Sequence, residues 1–316
     1  MRCPKCQFDH EDQTTECLRC GIVFAKYSPL QEAVRPLRIP TLIEEVQEAP
    51  QSLQEAKEEL RYRVLALPLA LLAAGLLVRV SVGLVRIFMS MWVHETGHAV
   101  TAWLCGFRAF PGPWATLVSN TRMPLVTVAV AAGVCFCIFQ SWRAGRSALV
   151  VGGVAALVAQ LICTTLPITE ANALVIFGGD AGCLVLGSLL MATFYVRRDS
   201  ALYRFSLRWG FLVIGAAAFM DASHTWWGAR GDPGLIPFGE NEGFGLSDPS
   251  RLTEDYGWAM QTMVDLYVWL GVACLAFLAV LYVVGIVQAR SVVRMKAKAS
   301  ISPSGYCLRR KTDGVR

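Results

Sequence analysis

The sequence predicts an all-α polytopic membrane protein of six or seven spans with a small cysteine-bearing module at its N-terminus. Three observations carry this. Of 316 residues, 54% are hydrophobic and only 17% charged, against about 25% charged in a soluble domain. From residue 64 onward there are seven apolar stretches, at about 64–82, 84–106, 123–141, 147–167, 171–196, 206–223 and 264–288. Most approach the roughly 20 residues that cross a bilayer as a helix. Ahead of them, the first 60 residues are polar and hold two C-x-x-C pairs. They lack the apolar segment of a secretory leader, so no cleavable signal peptide is expected.

Residues 1–27 read as a ribbon built on Cys3-Pro4-Lys5-Cys6 and, ten residues later, Cys17-Leu18-Arg19-Cys20-Gly21. Two such knuckles at short separation have the ligand spacing of a four-thiolate structural zinc site. A module this small cannot bury enough core to fold alone, so the metal would fold it. Gly21 suits the tight turn that closes a knuckle, where φ is positive. Disulfides are the competing reading, and they need an oxidising compartment. The formal charge of +5 is modest, and the ribbon has few basic or aromatic residues, so no nucleic-acid partner is expected.

Residues 28–63 read as a linker broken by Pro29, Pro36, Pro40 and Pro50. From Ser52 to Arg63 the charges Glu55, Lys57, Glu58, Glu59 and Arg61 predict a solvated helix leading to the membrane. Residues 64–290 form the membrane domain, and 291–316 a basic cytoplasmic tail. Pro68 and Arg79 interrupt the first apolar stretch. Small residues such as Gly152, Gly153, Ala155 and Ala156 let spans pack closely. Basic clusters stand at Arg61/Arg63, Arg143/Arg146, Arg197/Arg198/Arg204/Arg208 and from Arg290 onward. The last three are each two spans apart and so share a side. The first is three stretches from Arg143, so one stretch is expected to be re-entrant; the first, weakened by Pro68 and Arg79, is the candidate. Reducing conditions for the thiols and the basic loops both place the N-terminus in the cytoplasm, with the lipid bilayer as the main partner.

The chemistry centres on Val93-His94-Glu95-Thr96-Gly97-His98-Ala99. In H-E-x-x-H on a helix, the two histidines lie one turn apart on one face and can share a zinc ion. The intervening Glu95 can take a proton from a water on that metal as general base. From Leu84 to Gly106 the only charged residues are Arg86 and Glu95, and ionisable groups inside a span are costly and usually functional. Two plain core histidines would leave Glu95 buried without a partner.

A catalytic zinc takes three protein ligands, so a third must come from elsewhere. Asp180, in Phe177-Gly178-Gly179-Asp180-Ala181-Gly182, is the only charge between Ala171 and Val196. It lies about 13 Å into its span, a depth that matches His94. The glycines allow close backbone approach. Asp180 is therefore preferred over Asp221 and His224, which share a helix face beside Trp226 and Trp227, and over Asp265 at the water boundary. The membrane cysteines read as small apolar residues. The loop 224–263, rich in Gly, Pro and acid, is long enough to serve as a lid.

With His94-Glu95-Thr96-Gly97-His98-Ala99 in one span and Asp180 in a later one, the core resembles the site-2-type intramembrane zinc metalloproteases. The resemblance covers residues 84–196. It implies zinc ligation by His94, His98 and Asp180 and activation of water by Glu95. The family's Asp is usually followed directly by Gly, whereas Ala181 intervenes here. The resulting expectation is hydrolysis of peptide bonds in transmembrane protein substrates, with one catalytic and one structural zinc. The alternatives are a catalytically silent zinc-binding scaffold or regulator, and a metal transporter.

Overall fold

The computed structural model describes residues 2, 3, 5–9, 14–24, 42–241 and 245–301, with side chains from residue 52 onward in the first long helix. His10, the first part of the linker and most of the basic tail lie outside the described residues. The chain divides into two units, Met1–Ser52 and Leu53–Arg316.

In the first unit the two knuckles repeat one backbone pattern. The N–H of Cys3 bonds to the carbonyl of Phe8 at 2.9 Å, and that of Gln7 to the carbonyl of Cys3 at 2.9 Å. The N–H of Cys17 bonds to Ile22 and that of Gly21 to Cys17, both at 2.8 Å. Gln7 (φ 58°) and Gly21 (φ 70°) occupy equivalent left-handed positions, as the turn after a C-x-x-C pair requires.

The second unit is predominantly helical. Helix α1 (Leu42–Val85) is broken by a non-helical Ser81, and a π-helical turn, Arg86–Ser90, leads into α2 (Met91–Leu104). A hairpin of β1 (Phe107–Pro111) and β2 (Thr116–Arg122) follows, closed by the N–H of Gly112 on the carbonyl of Ala115. Then come α3 (Pro124–Arg143), α4 (Ser147–Thr165), α5 (Ile168–Ala192), a short α6 (Ala201–Arg204) and α7 (Leu207–Ala229). A two-residue ladder pairs β3 (Glu240–Asn241) with β4 (Gly245–Leu246). The chain then enters α8 (Asp248–Glu254) and α9 (Met260–Ile301). The hairpin is the main departure from an all-helical reading: α2 stops at Leu104, Gly106 beyond it takes a left-handed conformation (φ 84°), and Pro111-Gly112-Pro113 supplies the hairpin turn.

Five helical segments are long and apolar enough to cross a membrane: Ser52–Leu104, Pro124–Arg143, Ser147–Thr165, Ile168–Tyr195 and Met260–Ser300. The sixth apolar stretch forms α7, which is not among them. The faces of α3 and α4 fit a bilayer, since α3 buries none of its residues and α4 only Gln160.

The first two apolar stretches share one helical segment, and contacts with α5 show how. Beyond the C-terminal end of α5, Arg63 donates to the carbonyl of Val196 at 3.2 Å and the Tyr195 hydroxyl to that of Arg63 at 3.3 Å. At the N-terminal end of α5, Ala102, Cys105 and Phe107 cluster with Ala171 and Val175. Between residues 63 and 105 the chain therefore passes once along α5, with the break at Ser81 on the way. The pair together, and not the first stretch alone, accounts for the missing crossing. The same geometry places Arg63 and the Arg197–Arg208 cluster at one end of the bundle, and the hairpin at the other.

At that basic end, Glu59 accepts from Arg63 at 2.8 Å, from both terminal nitrogens of Arg208 at 2.9 and 3.0 Å, and from the Tyr203 hydroxyl at 3.0 Å. Glu59, Arg63 and Arg208 are buried, so this part of the expected solvated helix is instead a closed ion cluster. The main core packs Leu184, Phe194, Leu212, Phe219, Trp226 and Tyr267 between α5, α7 and α9. Helices α2 and α5 meet backbone to backbone: a Cβ on Gly97 would strike the carbonyl of Gly178 and, at 2.8 Å, the Cα of Gly182.

Candidate metal centre

Among the described residues three groups of side chains could hold a metal ion, two of which share His94. The first is the expected ribbon set. The Sγ atoms of Cys3 and Cys20 are 3.7 Å apart and those of Cys6 and Cys17 3.5 Å. All four lie within 4.8 Å of one another. Four thiolates at 2.3 Å from one tetrahedral zinc would be separated by about 3.8 Å, whereas a disulfide needs about 2.05 Å. Desolvation pushes the Cys17 thiol up, but the backbone N–H groups of Cys20 and Arg19 pull harder and hold it at about 5. Desolvation and the neighbouring Cys17 push Cys20 up to about 12.

The second group is formed at the start of α2. His94 Nε2 lies 3.1 Å from His98 Nε2 and 3.0 Å from Asp248 Oδ2, and His98 Nε2 lies 3.1 Å from the same oxygen. Three ligand atoms on a tetrahedral zinc at 2.0–2.1 Å would form a triangle with edges of about 3.3 Å. The far nitrogens fix the tautomers. His98 Nδ1 is 2.8 Å from the carbonyl of Val175, which can only accept, so Nδ1 carries the proton. His94 Nδ1 is 3.0 Å from Asp180 Oδ1, and the other oxygen of Asp180 accepts from the Trp226 indole at 2.7 Å. Both Nε2 lone pairs are thereby aimed at Asp248 Oδ2. Three such acceptors this close repel one another unless a cation lies between them. A proton satisfies one pair; a divalent ion satisfies all three.

Asp180 is thus at the histidines, but not at the position they share. Its carboxylate reaches only Nδ1 of His94, and the third ligand atom belongs to Asp248. Asp180, His94 and Cys183 form another close group, yet it excludes His98, and the Cys183 thiol points to the carbonyl of Ser90. Asp221 is engaged elsewhere, accepting from Arg86 at 3.1 Å and from the Ser90 hydroxyl. His224 is exposed, and Asp265 accepts from Gln261.

Asp248 comes from the long loop, which is pinned in place. Pro249 starts α8. The N–H of Ser247 bonds to the carbonyl of Gly239 at 2.8 Å, and the N–H of Gly239 to the Ser250 hydroxyl at 2.9 Å. Leu252 is fully buried beneath. Burial disfavours the Asp248 charge, but when His98 and His94 carry protons on the nitrogens that face it, their positive charge and hydrogen bonds outweigh burial and hold the carboxyl well below the usual carboxylate range.

Gly179 gives the imidazoles room. A Cβ there would come within 2.5 Å of His94 Cε1 and 2.6 Å of His98 Nε2. Glu95 is buried beside the histidines, and the Thr116 hydroxyl on β2 sits 2.7 Å from its Oε2. His94, Glu95, His98 and Asp248 all line one cavity of about 460 Å³, walled by the hairpin from Trp114 to Asn120 and by Asn172 on α5. It opens at the end of the bundle away from the basic clusters.

Comparisons with protein-family models, with curated proteins and with solved structures found no match to this chain.

Proposed function

We propose that this protein is an intramembrane zinc metalloprotease, with the metal on His94, His98 and Asp248 and with Glu95 as general base. The observation that carries the reading is the triangle of His94 Nε2, His98 Nε2 and Asp248 Oδ2 at 3.0–3.1 Å. A structural zinc site is closed by four protein ligands, whereas a catalytic one takes three and keeps a position open. Here three converge, and the remaining side faces the cavity. That arrangement favours a hydrolase over a closed scaffold site.

Zinc at this position would polarise a carbonyl and bring the pKa of a water near neutrality. The rest falls to the chain. Asp180 and the Val175 carbonyl hold the imidazoles in the required tautomer, as carboxylate and carbonyl partners do around metal-bound histidines. Glu95 takes a proton from the attacking water as its oxygen adds to the peptide carbonyl carbon. It returns that proton to the amine as the C–N bond breaks. Thr116 orients Glu95 for both steps.

The basic end of the bundle is assigned to the cytoplasm by the excess of Arg and Lys on that side. The cavity then opens on the opposite face, and the substrate is a membrane-embedded protein cut near that face. The test is Glu95→Gln in liposomes with a labelled transmembrane peptide. The reading expects hydrolysis to be lost while zinc is retained. Unchanged hydrolysis would refute the role of Glu95, and wild-type protein that binds zinc without cleaving any transmembrane peptide would favour a scaffold.

A further inference from the structure

A second cavity, of about 770 Å³, lies between α1, α7 and α9 and shares no residue with the first. Its walls are apolar, with Leu72, Leu76, Val272 and Leu275 facing it. Two basic side chains, Arg79 and His224, also line it. Arg79 has no hydrogen-bond or ion-pair partner among the described residues, and it stands inside an apolar helix. It follows Arg63 by 16 residues, a rise of about 24 Å, whereas the hydrocarbon core is about 30 Å thick. Arg79 is therefore near the far edge of that core, where a long cationic side chain reaches headgroups.

We infer that this groove seats one anionic phospholipid, with an acyl chain along the leucines and its phosphate on Arg79 beside His224. The argument is complementarity. An unpaired cation at this depth needs an anion, and the groove offers it no acidic side chain and is mostly apolar. A transmembrane peptide satisfies its backbone internally, and one of apolar side chains brings no anion to this level. A phospholipid brings both parts. The groove also touches the metal centre from behind. It is floored by Trp226 and Tyr267, whose rings stack at 4.1 Å, and Trp226 is the donor that holds Asp180.

Native mass spectrometry of the full-length protein in detergent tests this, with phosphatidylglycerol and phosphatidylcholine of identical chains as probes. One phosphatidylglycerol should be retained in preference to phosphatidylcholine. Arg79→Gln should weaken it about fivefold, the factor one basic residue contributes at an anionic surface, and Arg79→Lys should restore it. A Cβ at Gly271 meets only Leu184, at 3.7 Å or more, so Gly271→Leu should fold and displace either lipid by filling the groove. Equal retention of the two lipids, or phosphatidylglycerol held undiminished by Arg79→Gln, would overturn the headgroup assignment. Retention by Gly271→Leu would overturn the seat, and displacement by a neutral transmembrane peptide would make a peptide the occupant. None of these readouts needs zinc or turnover, so they stand or fall apart from the protease reading.

Discussion

Asp180→Asn and Asp248→Asn should weaken zinc binding by different amounts, and the order is the informative quantity. Asparagine preserves shape at both sites. At position 180 one amide oxygen still accepts, either from His94 Nδ1, 3.0 Å away, or from the Trp226 indole, 2.7 Å away. The other donor then faces an amide NH₂. The imidazole loses its anionic partner but keeps its lone pair on the metal position. Loss of such a partner costs about 10–100-fold in metal affinity, or about 1.4–2.7 kcal/mol. At position 248 the substitution removes a charged ligand atom. Structural zinc sites bind with about 10–16 kcal/mol over four ligands. One ligand is then worth about 3 kcal/mol, a factor above about 10². Competition against a chromophoric chelator, with the ribbon zinc subtracted by means of a His94→Ala/His98→Ala control, measures both. If Asp180→Asn released zinc as readily as Asp248→Asn, Asp180 would be the ligand and the geometric reasoning would be refuted.

Gly179→Ala should empty the membrane centre and destabilise the α2–α5 contact by about 1–3 kcal/mol, because its methyl would overlap both imidazoles; zinc content and thermal unfolding of the purified protein check this, and normal zinc content would contradict it. Deleting residues 1–27 should lower zinc from two to one per chain and leave hydrolysis intact, whereas loss of hydrolysis in a folded protein would make the ribbon part of the catalytic unit. Asn120 is exposed at the cavity wall, so Asn120→Cys should gain labelling by a membrane-impermeant thiol reagent applied outside intact cells; labelling only after lysis would reverse the assigned orientation.

Local chemistry made several features legible in the sequence. The C-x-x-C pairs carry their own spacing, and Gly21 its own backbone need. The H-E-x-x-H pattern fixes a helix face, and the boundary between the first two apolar stretches, read at residues 82–84, lies close to the non-helical Ser81. The depth of Asp180 was also readable, and it does meet His94. Depth alone does not say which imidazole nitrogen a carboxylate reaches, and that distinction decides between ligand and orienting partner. Asp248 was hidden for a different reason. It lies 154 residues from His94 in a loop of polar, Gly and Pro residues, and a search confined to ionisable groups within apolar sequence passes over it. Its position depends on the bonds of Ser247 and Ser250 to Gly239, eight and eleven residues earlier in the loop, and on Leu252, which joins the main core. The loop's length pointed to function, and Asp248-Pro249 as a helix start was the one local signal within it. Burial of Glu59 was hidden in the same way, because its partner Arg208 is 149 residues away.

The account rests on one zinc ion held by two imidazoles and a loop carboxylate. Zinc K-edge absorption spectroscopy on protein lacking residues 1–27 tests that directly. The prediction is one zinc per chain with only nitrogen and oxygen neighbours at about 2.0–2.1 Å, and loss of that signal in Asp248→Ala. A sulfur shell at about 2.3 Å, which would place Cys183 on the metal, or a spectrum unchanged in Asp248→Ala, would contradict it.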